Sequence, residues 1–124
     1  MDSGSEIAQV AARTGVSAHT LRYYERAGLL APVPRDGAGR RRYSEGDVAR
    51  VLFLTRLRST GMPIRSVRRY VDLVAAGEGT AAERLALLEA HRAAVREQLD
   101  RVRKDLEVIE AKVDTYRQQV EGKQ

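Results

Sequence analysis

The chain has 124 residues, no cysteine, two histidines and a net charge of +5. That length favours one compact domain plus an extension over two large domains, and the basic surplus calls for an acidic partner, nucleic acid or an anionic membrane. The lack of cysteine excludes disulfides, thiolate metal sites and thiol redox sensing, and His19 and His91 alone make no metal centre, so no cofactor is expected.

The start, "MDSGSEIAQV", lacks the basic and apolar regions of a secretory signal. No apolar run approaches the roughly 20 residues that span a bilayer, so the expected location is the cytoplasm. Ile7, Val10 and Ala11 fit one face of a short helix, which "TGVS" ends. Gly15 supplies a tight turn and Ser17 a cap for a second helix running to about Ala27, with Gly28 as its stop. Two short helices about a glycine turn form the pattern of a helix-turn-helix, a pattern shared with helical hairpins that have no DNA role. Tyr23 and Tyr24 lie on the second helix about 100° apart, so one flat face cannot bury both. Leu21 and Tyr24 share a face suited to packing on Val10 and Val16. His19, Arg22, Tyr23 and Arg26 form the opposite stripe, entirely basic or aromatic.

"LLAPVPRDGAGRRRYS" cannot be helical with Pro32, Pro34 and its glycines. It predicts a small β-hairpin: an extended arm, a "DGAG" turn and a return strand "RRRY". Arg40, Arg41 and Arg42 alternate faces on that strand, so not all three reach the same strand of DNA. Tyr43, at the junction with the next helix, suits the core as well as a phosphate contact. Ser44 and Asp47 form a capping box, and the helix proceeds through Val48, Val51, Leu52 and Thr55 to near Gly61. Pro63 opens the next helix, with Ile64, Val67, Val71 and Val74 as its buried stripe.

"AAGEGT" reads as a linker, followed by a second capping box of Thr80 and Glu83. The apolar residues after it are spaced alternately by three and four: Leu85, Leu88, Val95, Leu99, Val102, Leu106, Ile109, Val113, Tyr116 and Val120. Only Arg92 interrupts them. A heptad kept for about five repeats predicts a coiled coil, on a helix roughly 55–60 Å long. A head of this size covers only its first turns, so a second copy of the chain is the simplest cover for the rest. The organisation is therefore mainly α: residues 1–76 a DNA-binding head, 77–80 a linker and 81–121 a dimerisation helix.

Charge supports the division. Residues 1–75 carry 13 arginines against 7 acids, whereas residues 76–124 carry 9 basic and 10 acidic residues. The acidic partner therefore meets the head, and double-stranded DNA fits it best. Arginine pairs bidentately with phosphate or guanine, and the hydroxyls of Ser17, Thr20 and Tyr23, with backbone N–H groups at the helix start, suit phosphate oxygens. Ala18, His19 and Arg22, near the N-terminus of the second helix, are the candidates for reading bases.

The order of elements, with "IAQVAARTGVSAHTLRYYERAGLL", "GRRRYSEGDVARVLFLTRLRSTGMPI" and "VRRYVDLV", closely resembles the MerR family of bacterial transcription regulators over about residues 7–120. The resemblance implies a winged helix-turn-helix and a homodimer made by antiparallel pairing of the long helices. It implies binding to inverted repeats between promoter elements set too far apart for efficient use by RNA polymerase. Effector binding in such proteins bends and untwists the DNA, switching repression to activation; a small difference in contacts between two states can select the DNA shape. By position, Arg22 and Tyr23 match the recognition helix, and Arg40, Arg41, Arg42 and Tyr43 the first wing. "MPIRSVRRY" matches the second wing, adding Arg65 and Arg68 or Arg69 to the phosphate set, with plain solvent exposure the alternative for these three.

The departures bear on function. Metal- and redox-sensing members carry cysteines near the end of the dimerisation helix, and this chain has none. Drug-sensing members continue into a ligand domain, whereas this sequence stops at "VEGKQ". A small-molecule effector is then expected at the head–coil junction or between subunits, or there is none; "VDLVAAGEGTAAERLALLEAHR" reads as packing. Two other readings stand beside a sequence-specific regulator: a coiled-coil adaptor with weak DNA binding, and an architectural DNA binder with little sequence preference. No motif suggests an enzyme.

Overall fold

The computed structural model describes residues 4–122. Its helices are α1 (Ile7–Thr14), α2 (Ala18–Arg26), α3 (Glu45–Ser59), α4 (Ile64–Ala76) and α5 (Ala81–Glu121). The chain divides into two compact units, Met1–Leu85 and Ala86–Gln124, so the boundary falls inside α5. Residues 1–3 of the expected head range lie outside those described.

The turn between α1 and α2 is closed by local chemistry. Gly15 caps α1 at φ 74°, a left-handed backbone, and its N–H bonds the Ala11 carbonyl. The Thr14 hydroxyl donates to the Val10 carbonyl at 2.8 Å and accepts the Val16 N–H at 3.1 Å. Ser17 then caps α2 by accepting the Thr20 N–H. Val10, Leu21, Leu29, Tyr43, Val51 and Val67 are fully buried, so α1, α2, α3, α4 and the arm after α2 share one core.

Three expectations need correction. The hairpin is only a pair of isolated bridges, Arg35 opposite Arg41 and Tyr43 opposite Ser5. Pro32 and Pro34 have no N–H to donate, which prevents a full ladder along the arm. Tyr43 instead exchanges two hydrogen bonds with Ser5, at 2.8 and 2.9 Å. A side chain on Gly4 would meet the Tyr43 carbonyl at 2.6 Å, so only glycine allows this approach.

The buried seam of α3 is Val48, Val51, Leu54 and Leu57, not Leu52 and Thr55, because α3 packs against both α1 and α4. The Ser44–Asp47 capping box is present as expected. In α4 the buried residues are Val67, Val71 and Leu73, with Ile64 and Val74 half-buried.

The third correction concerns the capping box expected after the linker; the linker itself holds a 3₁₀ turn over Glu78–Thr80. The Thr80 hydroxyl lies 2.7 Å from the Leu73 carbonyl and 2.8 Å from that of Gly77, fastening the turn to α4. Glu83 pairs with Arg69 at 3.3 Å and forms no capping box with Thr80. The second unit is the remainder of α5, an unbroken helix with no buried residue.

Candidate nucleic-acid interface

Helical geometry separates the two tyrosines as expected: Tyr24 is 6% exposed and Tyr23 41%, with ring centroids 6.4 Å apart. His19, Arg22, Tyr23 and Arg26 all lie on the exposed face of α2. Among the described residues, neither Arg22 nor Arg26 has an ion-pair or hydrogen-bond partner. Ala18 and Thr20 are half-buried beside them. Ser17 is committed to the cap, giving its proton to Thr20 Oγ1 at 3.0 Å, while Thr20 keeps its own proton to donate.

The wing is ordered by carboxylates. Asp36 Oδ1 accepts the N–H groups of Ala38 and Arg40, and Asp36 Oδ2 accepts from Arg42 Nε. These bonds, the Arg40 N–H foremost, hold the Asp36 carboxyl below its ordinary value. Arg42 also lies 3.3 Å from Glu6, which places it in a network and only partly at the surface. Arg40 remains 64% exposed at the wing tip, with Glu6 3.4 Å and Asp36 3.9 Å from its guanidinium.

Arg41 belongs elsewhere. Its Nε donates to Glu25 Oε1 at 2.6 Å, both side chains being about four-fifths shielded. The other Glu25 oxygen accepts the Val33 N–H at 3.0 Å. One carboxylate thus ties α2 to both limbs of the wing. Partial burial pushes the Glu25 carboxyl up, but the Val33 N–H and Arg41 outweigh it and hold it below the usual carboxylate range. A carboxyl lowered by folding stabilises above its unfolded pKa of about 4.3, and that stability is lost as pH falls through the folded value. Thermal melts between about pH 6 and pH 3 are therefore expected to show a smaller acid loss for Glu25→Gln than for the parent chain. Equal losses would remove Glu25 as the cause.

Of the two places open to Tyr43, the structure gives the core: its ring is fully buried and its phenol is pushed up by burial. Arg68 is partly diverted too, since it donates to the Ala27 carbonyl at 2.6 Å and so satisfies the C-terminus of α2. Arg65 is exposed and, among the described residues, has no partner. A cleft of about 260 Å³ brings Arg22, Arg35, Arg40 and Arg41 together with Glu6. Sequence reading missed Arg35, because nothing in the arm shows that it folds back towards α2. It missed Glu25 as well, although one acid on an otherwise basic helix was the available signal.

A sequence model for the MerR HTH family regulatory protein matches residues 6–73, and one for the MerR DNA-binding region matches 48–112. The chain belongs to the MerR family. An HTH-type transcriptional regulator of Haemophilus influenzae is 35% identical over 109 residues, 88% of this chain and 81% of that protein. AdhR of Bacillus subtilis is 41% identical over 86 residues, but the match spans 69% of this chain and 61% of AdhR. The crystal structure of HiNmlR, a MerR family regulator lacking the sensor domain and bound to promoter DNA, has a TM-score of 0.86 at 33% identity. That match covers 92% of this chain and 86% of HiNmlR. A MerR family regulator structure from Listeria monocytogenes gives 0.82 at 33% identity, covering 91% of this chain and 86% of its own.

These MerR relatives fit a mainly helical head followed by a long helix. Of the ten apolar residues expected on the seam of α5, none is buried; Leu88 and Val95 are half-buried and the rest exposed. No helix among the described residues is long and apolar enough to cross a membrane.

Proposed function

We propose that two copies of this chain form a regulator that binds inverted-repeat promoter DNA and alters its shape to repress or activate transcription. Residues 1–76 are the DNA-binding head, 77–80 the connection and 81–121 the dimerisation helix. The observation that carries the reading is the exposed stripe of His19, Arg22, Tyr23 and Arg26 on the second helix of a helix-turn-helix. Such a helix enters the major groove with its N-terminal residues towards base edges. HiNmlR, captured on promoter DNA, supports the same use of the head here.

In this reading Ala18, His19 and Arg22 face bases, while Thr20, Tyr23 and Arg26 face the backbone. Arg35, Arg40 and Arg65 add phosphate contacts from the wings, and Arg41, Arg42 and Arg68 shape the surface that carries them. The protein works in the cytoplasm beside RNA polymerase and acts by binding, with no catalytic step.

The test is an anisotropy titration against the DNA upstream of the gene and a scrambled duplex, each at two salt concentrations. Specific regulation predicts a preference of about a thousandfold or more for the upstream DNA. Equal affinities that collapse together with salt would favour an architectural binder instead. Arg22→Ala is expected to cost about 1–3 kcal/mol per half-site and to flatten the preference at one base position. Binding indifferent to Arg22→Ala would move the interface off α2.

A further inference from the structure

The cleft between the wing, α2 and the start of α1 gathers more positive charge than its own acids neutralise. Four arginines line it, Arg22, Arg35, Arg40 and Arg41, against one acid, Glu6. They come from three separate stretches: α2, the outward limb of the wing and its return limb. Like charges brought together this way repel unless each has a counter-charge, so their partners decide what the cleft can hold.

Among the described residues those partners are unevenly distributed. Arg22 has none. Arg35 makes no ion pair and gives a hydrogen bond, at 2.8 Å, to the uncharged Gly39 carbonyl. Arg40 lies 3.4 Å from Glu6 and 3.9 Å from Asp36, but Arg42 shares both carboxylates, at 3.3 and 3.1 Å. Arg41 is the exception, neutralised by Glu25 at 2.6 Å. Two full positive charges and part of a third therefore line one space of about 260 Å³.

That volume falls just below the usual range of pockets for drug-sized ligands, so it suits a compact ligand with its charge on few atoms. Guanidinium forks pair with phosphate oxygens in geometry as well as in charge. A lone phosphoryl group carries about −1.5 to −2 at neutral pH and falls short of the charge on the walls, whereas two in tandem match it. DNA presents singly charged phosphates spaced along a strand, and so delivers less charge to one point. We propose that this cleft binds the diphosphate group of a small molecule, and that the bound ligand and promoter DNA exclude one another. Exclusion follows because Arg22 serves both, on the outer face of α2 and on the wall of the cleft. Each ligand then weakens the other by the same factor. The exclusion rests on the DNA-binding reading above; the site itself does not.

The test uses the full chain and inorganic pyrophosphate in magnesium-free buffer, with sulfate at equal ionic strength beside it. Isothermal titration without DNA is expected to show saturable binding of one pyrophosphate per chain, about tenfold or more tighter than sulfate. Arg35→Gln and Arg40→Gln are each expected to weaken it by about tenfold, the loss of one charged hydrogen bond. Arg101→Gln removes the same charge from α5 and should leave pyrophosphate binding unchanged. Thermal melts confirm that each variant is folded, and the two cleft variants serve as checks on one another. Unsaturable binding, sulfate binding as tight as pyrophosphate, or an equal loss in Arg101→Gln would overturn the site. In anisotropy, pyrophosphate is expected to displace the upstream duplex from the parent chain, and to do so less from Arg35→Gln. Pyrophosphate that binds without displacing that DNA overturns the exclusion. A parent chain that binds pyrophosphate but no DNA overturns the regulator reading, and the exclusion with it, while the site stands.

Discussion

Val102→Glu is expected to abolish specific DNA binding while leaving the DNA-binding head intact. Val102 is 61% exposed on α5 and sits in the unit beginning at Ala86. Glutamate is a better helix former than valine, so α5 itself persists. A dimer, however, would then bury two carboxylates among apolar residues, with no cation opposite either, and charges are buried only at high cost unless paired. Dissociation separates the two heads, and each copy then reads only one half-site. An operator made of two half-sites about 34–36 Å apart gains its affinity from simultaneous engagement of both. Loss of the second head should lower specific affinity by about a hundredfold to ten-thousandfold. Sedimentation should show a monomer, and anisotropy should show the residual, salt-sensitive binding of a single head. A Val102→Glu protein that remains a dimer with full affinity would remove this part of α5 from the functional reading.

The second large effect lies in the core. Tyr43 is fully buried, and it joins the return limb of the wing to Ser5 and to the start of α3. Tyr43→Ala is expected to destabilise the head by about 3–5 kcal/mol, the range for emptying a buried aromatic site. At about 4–8 °C per kcal/mol for a small domain, the melting temperature falls by tens of degrees. Tyr43→Phe separates the core role from a DNA contact. The Tyr43 hydroxyl has no hydrogen-bond partner among the described residues, so its removal should alter stability by no more than about 1 kcal/mol. DNA affinity should not change. A Tyr43→Phe protein that folds normally but binds DNA several-fold more weakly would restore Tyr43 to the phosphate contacts.

The local elements were legible because their causes lie within a few residues of one another. The Ser17 cap, the Gly15 turn and the Ser44–Asp47 box each use groups no more than four positions apart. The division of labour between Tyr23 and Tyr24 follows from helical geometry alone, and so does the α5 seam. The wing was harder to read. Its prolines announced an irregular segment, but the hydrogen bonds that replace a ladder come from Ser5 and from one carboxylate on α2.

What the sequence determined by itself was therefore the helix pattern, the basic face of α2 and the unpartnered seam. Periodicity and capping are properties of a local stretch, and charge can be counted before folding. Tertiary structure alone decided which arginines remain free to meet DNA. Arg41 is neutralised by Glu25, 16 positions earlier, and Arg68 is drawn to the Ala27 carbonyl, 41 positions away. Arg22 and Arg65 look no different in the sequence, yet they stay exposed and, among the described residues, have no ion-pair or hydrogen-bond partner. An arginine's charge is visible in any sequence, but its partner is chosen by what folding brings within about 3 Å of the guanidinium.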